Sequence, residues 1–186
     1  MEWIKEWDAN ILLWIQEHCR MEGLNELVIF ITHLGDAGIL WIALGFILLA
    51  YRKTRRTGVC TLSALVISFL VNNVFLKNVI ARQRPYEAIE SLNRIIEAQS
   101  DYSFPSGHTA NSIVAATVIF LMLPKKYSWT FLLLAILISI SRLYVGVHYP
   151  TDVICGMLTG VIIACLVVSF EKRIRRKKNQ TNHPAN

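Results

Sequence analysis

Two histidines and one aspartate have the residue types and spacing of a phosphoryl-transfer site. Asp152 follows His148 by four residues, and Pro150 between them favours a helix that begins there. A carboxylate in the first turn of that helix could bond one ring nitrogen of His148 and leave the other free as a nucleophile. Alternatively, Asp152 only stabilises the N-terminus of the helix. His108 supplies a second imidazole, which suits general acid catalysis.

Cationic side chains and a helix start could hold a phosphate group near these histidines. Three cations lie at the ends of apolar segments: Lys77, Arg84 and Arg142. The planar fork of arginine matches phosphate oxygens, and Arg142 either grips phosphate or only anchors the end of its helix. The sequence PSGH at 105–108 opens a long apolar run, where free backbone N–H groups could bind an anion. Gly107 would let the backbone approach that anion, and the Ser106 hydroxyl either caps the helix or binds an oxyanion.

Metal ligands are not grouped in the patterns that metal enzymes use. The carboxylates do not cluster as a magnesium site requires, and the spacing of His and Cys fits no zinc motif. The four cysteines show no paired spacing and are expected to be packing residues. The sequence therefore predicts phosphoryl transfer without metal or other cofactor, through a phosphohistidine.

Composition indicates that a membrane positions these residues. The chain has 186 residues, 54% of them hydrophobic, and a mean hydropathy of +0.43, which suits one membrane domain. Four stretches approach the length of a spanning helix: Gly58–Leu76, Ser106–Leu123, Tyr127–Ser141 and Thr151–Phe170. A fifth, Gly38–Tyr51, is short and could be extended by Leu24–Gly35 across a bend at GDAG. We therefore predict an all-α bundle with five to six spans.

The N-terminal segment at 1–20 has a different pattern. Six apolar residues recur at helical spacing with acids between them: Trp3, Ile4, Trp7, Ile11, Trp14 and Ile15. Two interpretations fit this pattern equally well, an amphipathic helix in the membrane interface and a helix packed on the bundle. A weaker helical pattern falls within 86–103, and this segment could cover the site or pack on the spans.

The distribution of charge predicts the orientation in the membrane. With five spans, 12 of the 19 Lys and Arg and only one of the 13 acids fall on one side. The positive-inside rule makes that side cytoplasmic, together with the basic tail at 172–186. The remainder, 1–171, is then a single membrane domain whose outer loop at 77–105 carries Lys77 and Arg84. The histidines lie on the outer side of the cell membrane.

Three sequences together resemble the type 2 phosphatidic acid phosphatase superfamily of integral-membrane lipid phosphatases. They are KNVIARQRP at 77–85, PSGH at 105–108 and SRLYVGVHYPTD at 141–152, in the order that the family shows. The resemblance implies that His148 is the nucleophile, that Asp152 orients it, and that His108 protonates the leaving oxygen and later activates water. It assigns phosphate binding to Lys77, Arg84, Ser106, Gly107 and Arg142. Arg82 lies outside the motif and is expected to be a lipid headgroup contact at most.

The same resemblance implies a substrate that arrives from the lipid bilayer. Undecaprenyl diphosphate, phosphatidylglycerophosphate and phosphatidate are the candidates, and a nucleic acid partner is not expected. A vanadate-dependent haloperoxidase would share these motifs, but such relatives are soluble, whereas this chain has apolar spans. A transporter that binds lipid headgroups without cleaving them is the alternative function, and the two histidines argue against it.

Overall fold

The computed structural model describes residues 2–182, and this part of the chain is helical with connecting turns and loops. Its helices are α1 Glu2–His18, α2 Glu22–His33, α3 Ile39–Ala50, α4 Arg55–Ser68, α5 Lys77–Ile80, α6 Pro85–Ala88, α7 Gly107–Met122, α8 Lys125–Tyr144 and α9 Pro150–Asn182. A 3-10 turn at Asp36–Gly38 joins α2 to α3, and a π-helix at Phe69–Leu76 continues α4 into α5. The predicted all-α class is confirmed.

Within the described part of the chain, three helical segments are long and apolar enough to cross a membrane. They are Arg55–Ala88, Lys125–Tyr144 and Pro150–Thr181, and the bent pair α2 and α3, at 41°, could be a fourth. Helix α7 is also apolar but has 16 residues, about 24 Å at the α-helical rise, which is shorter than a typical hydrocarbon layer. The five to six spans predicted from the sequence therefore stay a prediction.

Helix α7 forms the centre of the bundle, because α4, α8 and α9 pack around it. Small and β-branched residues fill this centre, and Val114, Ala115 and Val118 are fully buried. Trp41 of α3 is also buried and donates from Nε1 to Ser112 Oγ on α7 at 2.9 Å. This packing fixes the N-terminal end of α7, where His108 lies, against the neighbouring helices.

Helix α1 packs against the bundle through one face. Asp8 and Leu12 are buried, and Leu12 joins a cluster with Leu92 and Tyr149. The opposite side of the helix exposes three tryptophans: Trp3, Trp7 and Trp14. The packed interpretation therefore describes this helix, and its position in the membrane interface stays a prediction.

The segment between α5 and α7 is mostly loop. Only Pro85–Ala88 forms a helix after Ile80, so the helical spacing within 86–103 was misleading. Leu92 of this loop is buried because it packs under α1, which explains the apolar pattern without a helix. At the other end of the bundle, α9 continues through the predicted basic tail as far as Asn182.

Candidate active site

A cavity of about 190 Å³ lies where residues of the three sequence motifs meet. Six of the eight predicted site residues line it: Lys77, Arg84, Gly107, His108, Arg142 and His148. Each is at the end of a helix or in the loop just outside one, on the same side of the bundle. The other two, Ser106 and Asp152, are fully buried behind the cavity wall.

His148 is held by groups on both ring nitrogens. Its Nδ1 lies 3.6 Å from Asp152 Oδ2 and 3.5 Å from Ser103 Oγ, and Ser103 also donates to that carboxylate oxygen. Its Nε2 lies 3.4 Å from Arg84 Nη1. Because a guanidinium can only donate, this arrangement puts the proton of a neutral ring on Nδ1 and the lone pair on Nε2. The lone pair therefore faces the cations.

The protonation state of His148 also suits a nucleophile. The side chain is 1% exposed, and burial lowers its pKa well below the ordinary value. The positive charges of Arg84, Arg142 and Lys77 lower the pKa further. The ring is therefore neutral at neutral pH, as nucleophilic attack requires.

Asp101 forms ion pairs with two of the three cationic side chains that line the cavity. Its carboxylate bonds Lys77 Nζ and Arg84 Nη2, and Arg84 also donates to Val147 O at 2.8 Å. Partial burial raises the pKa of Asp101, but the hydrogen bonds and charges of Lys77 and Arg84 outweigh it and lower the pKa to about 2. A phosphate that binds these two cations must share them with Asp101 or displace it.

Arg142 is a buried cation with unused hydrogen-bonding capacity. It is 1% exposed, and its Nη1 donates to Thr32 Oγ1 at 2.7 Å. Its Nε and Nη2 are buried and have no hydrogen-bond partner among residues 2–182. A buried guanidinium with unsatisfied donors lowers the stability of the fold unless an anion pairs with it. Since Arg142 lines the cavity, the cavity is suited to an anion.

His108 faces the cavity from the first turn of α7. Its Nε2 lies 2.8 Å from Asp36 Oδ1, in the 3-10 turn between α2 and α3. The second carboxylate oxygen of Asp36 lies 2.7 Å from His33 Nδ1. The general acid predicted from the sequence therefore has a carboxylate partner of its own.

The PSGH residues shape the helix start beside these side chains. Ser106 is the N-cap of α7, and its Oγ accepts from Thr109 N at 3.5 Å. Of the two roles weighed for Ser106, capping is the one seen, and its contact with phosphate stays a prediction. A Cβ at Gly107 would lie 2.7 Å from Nδ2 of the Asn73 side chain, so any side chain at this position would require Asn73 to move. The cavity wall at this point is therefore backbone.

Arg82 supports the site from behind, through ion pairs with two buried acids. Its Nη1 donates to Asp152 Oδ1 at 2.8 Å, and its Nη2 donates to Asp8 Oδ2 at 2.7 Å. Asp8 also accepts from Thr151 N at 3.0 Å. Arg82 thereby joins α1 to the first turn of α9 and fixes the carboxylate behind His148. The sequence did not predict this supporting role, because Asp152 and Asp8 lie 70 and 74 positions away from Arg82. A contact of Arg82 with a lipid headgroup stays a prediction.

Three residues of the site were missed in the sequence: Asp36, Asp101 and Ser103. Asp101 and Ser103 lie within five residues of PSGH, and this proximity was the only signal available for them. Asp36 lies in the GDAG bend, where it was interpreted as part of a helix break. All three come from turns or loops, whose contacts no periodic pattern predicts.

Neutralising Asp101 is expected to strengthen anion binding. In Asp101→Asn, Lys77 and Arg84 lose their competing carboxylate, so inorganic phosphate and orthovanadate should bind several-fold more tightly. The dissociation constants are measured against wild type, with Glu90→Gln as a control on an exposed loop acid. Weaker binding would instead show that Asp101 is needed to position the two cations.

Within residues 2–182, three or more His, Cys, Asp or Glu side chains nowhere come together in a group that could hold a metal ion. The cavity instead offers cationic side chains, a neutral histidine and a second histidine with a carboxylate partner. Such a set can hold a phosphate group by charge, attack its phosphorus atom and protonate the leaving oxygen.

Known proteins resemble this chain in sequence and in fold. The sequence model of the PAP2 superfamily matches residues 57–176. An undecaprenyl-diphosphatase from Sulfolobus acidocaldarius is 36% identical over 149 residues, which cover 80% of this chain and 71% of that protein. The bacitracin transport permease protein BcrC from Bacillus licheniformis is 33% identical over 179 residues, covering 86% of each. The crystal structure of a transmembrane PAP2-type phosphatidylglycerolphosphate phosphatase from Bacillus subtilis superposes with a TM-score of 0.76 at 32% identity, covering 94% of this chain and 89% of that one.

Proposed function

The chain belongs to the PAP2 superfamily of membrane lipid phosphatases, and from this premise we propose that it removes phosphate from a lipid phosphate or diphosphate through a phosphohistidine at His148. The observation that carries this proposal is the position of His148 Nε2. It is a buried, unprotonated nitrogen 3.4 Å from Arg84 Nη1, in the cavity that Arg142 and Lys77 also line. A phosphate held by these cations would present its phosphorus to that nitrogen.

The proposed first step transfers the phosphoryl group to the protein. The lone pair of His148 Nε2 attacks phosphorus, a P–N bond forms, and the bond from phosphorus to the lipid oxygen breaks. His108 donates a proton to that oxygen, while Asp152 and Ser103 stabilise the positive charge that develops on His148. Lys77, Arg84 and Arg142 balance the charge on the phosphate oxygens.

The second step returns the histidine to its starting state. His108, now neutral, accepts a proton from water, and the water oxygen attacks phosphorus. The P–N bond breaks, its electron pair returns to Nε2, and inorganic phosphate leaves. The acid of the first step is therefore the base of the second. The step needs no metal, because the three cations stabilise the transferred group.

The relatives support lipid phosphates as the substrate class. Their names include an undecaprenyl-diphosphatase, a phosphatidylglycerophosphatase B and lipid A 4'-phosphatases. We propose undecaprenyl diphosphate, phosphatidylglycerophosphate and phosphatidate as substrates, entering from the bilayer. The charge distribution supports a site on the outer face and a cytoplasmic C-terminus. A C-terminal tag that antibodies reach on intact cells would contradict that orientation.

One relative's name favours considering transport as a second function. The BcrC protein from Bacillus licheniformis is named a bacitracin transport permease. Binding a headgroup for transport would need the cations but neither histidine. The arrangement of His108 and His148 around one cavity therefore favours hydrolysis.

Phosphate release by the purified protein tests the proposed function. The three candidate lipids are supplied in detergent with excess EDTA, and free phosphate is measured over time. We expect release from at least one lipid and an unchanged rate after chelation. If the wild type releases no phosphate from any of them, the phosphatase proposal fails. A rate that collapses with EDTA and returns with added metal would contradict the metal-free mechanism.

A further inference from the structure

His108, the general acid of the proposed mechanism, lies in surroundings that disfavour its protonated form. His108 must carry a proton when the lipid oxygen leaves, yet it lines a cavity with Lys77, Arg84 and Arg142. Nearby cations and burial both disfavour a protonated imidazole. A negative group beside His108 offsets only part of this effect, because the pKa of His108 is still lowered to about 4, first by burial and then by Arg142. Asp101 is already bonded to Lys77 and Arg84.

We propose that Asp36 is the positioning residue of the general acid, holding His108 in place and favouring its protonated form, with His33 holding Asp36. This role rests on the proposed function of the same site. The three side chains form a continuous series, His108 Nε2 to Asp36 Oδ1 at 2.8 Å and Asp36 Oδ2 to His33 Nδ1 at 2.7 Å. With Nε2 held by Asp36, Nδ1 is the nitrogen left for the lipid oxygen.

The bend between α2 and α3 is built around the ring of His108. A Cβ at Gly35 would lie 2.7 Å from Cδ2 of His108, so only glycine lets the chain pass this close. The next residues form the 3-10 turn, in which Ala37 has a φ of +50° and Gly38 a φ of +68°. A backbone in the left-handed region costs energy for alanine, which indicates that the turn's position is important. The consequence of this turn is that the Asp36 carboxylate reaches His108.

The series also connects the catalytic cavity to an outer one. His108 lines both cavities, and the outer cavity of about 900 Å³ is lined in addition by His33, Asp36 and Glu97. His33 and Asp36 are half-exposed, whereas the side chain of His108 is 17% exposed. Protons can therefore exchange with solvent at His33 and Asp36 while His108 stays in the catalytic cavity.

The leaving group of the substrate distinguishes this role from a structural one. An alkyl phosphate such as phosphatidate needs a proton on its leaving oxygen, whereas an aryl phosphate such as p-nitrophenyl phosphate does not. In Asp36→Asn we expect kcat/KM for phosphatidate to fall by about 10²-fold or more, the usual contribution of a general acid. The value for p-nitrophenyl phosphate should change by less than about threefold, because the nucleophile and cations are untouched.

The pH profile and three further variants complete the test. Without Asp36, the basic limb of kcat/KM for phosphatidate should move to lower pH, because His108 loses its proton more readily. Glu97→Gln, which removes another carboxylate from the outer cavity, should leave both substrates unaffected. Asp36→Glu should restore part of the lost rate, and His33→Ala should cost only a few-fold on phosphatidate.

Two results would overturn the role of Asp36. An equal loss on both substrates in a folded Asp36→Asn protein would mean that Asp36 supports the structure only. An unchanged rate on phosphatidate would mean that His108 does not depend on it. Both differ from failure of the proposed function, in which the wild-type protein itself hydrolyses neither substrate.

Discussion

Replacing His148 by alanine is expected to lower kcat/KM for lipid phosphate hydrolysis by about 10⁴-fold or more, as loss of a covalent nucleophile does in other enzymes. The reason is chemical, because the substitution removes Nε2, the nitrogen that lies 3.4 Å from Arg84 Nη1 in the cavity. The measurement is the initial rate of phosphate release by purified wild-type and variant proteins at equal concentration.

A matched control separates lost chemistry from lost folding. His18 lies at the end of α1, bonded within its own helix to Trp14 O at 3.0 Å, and His18→Ala should keep full activity. His148→Ala should elute and melt as a folded protein, because the deletion removes a side chain that stands beside a cavity. A folded His148→Ala protein that retains more than about one tenth of the wild-type rate would require a different nucleophile.

Replacing Arg142 by methionine is expected to reduce kcat/KM by about 10² to 10³-fold, the range for removing one donor to a developing oxyanion. Arg142→Lys should recover only part of this loss, because an ammonium cannot supply the two guanidinium nitrogens that now have no partner. Arg55→Met, at the opposite end of the bundle, is the control and should be as active as wild type.

The Arg142→Met substitution is also expected to affect the thermal stability of the protein. In the free protein Arg142 is a buried cation with two unpaired nitrogens, so methionine should leave the melting temperature unchanged or raise it. Phosphate should stabilise the wild type against heat and should no longer stabilise Arg142→Met. A variant that is active but much less stable would instead make Arg142 an anchor for the end of α8.

Six of the residues that line the cavity could be predicted from the sequence because each lies at the end of an apolar segment. Basic side chains at Lys77, Arg84 and Arg142 conflict with the positive-inside rule, and this conflict indicated a function before any fold was known. The four-residue spacing of His148 and Asp152 predicted their proximity, although Ser103 stands beside them and completes the contact.

The supporting residues could not be predicted because their partners are distant in the chain. Arg82 contacts Asp8 across 74 positions, and His108 contacts Asp36 across 72. Both contacts depend on how α1 and the α2–α3 bend pack against the bundle. A helical period reports which face of a helix is apolar, and it carries no information about which loop will reach that face.

Trapping the phosphorylated protein tests the central claim most directly. His108→Ala should still be phosphorylated by p-nitrophenyl phosphate, whose leaving group needs no acid, but should hydrolyse the phosphohistidine slowly because its general base is gone. An alkaline quench followed by peptide mass spectrometry should then place one phosphoryl group on His148, matched by an equal burst of p-nitrophenol. A burst without protein-bound phosphate, or a phosphoryl group on any other residue, would contradict the mechanism.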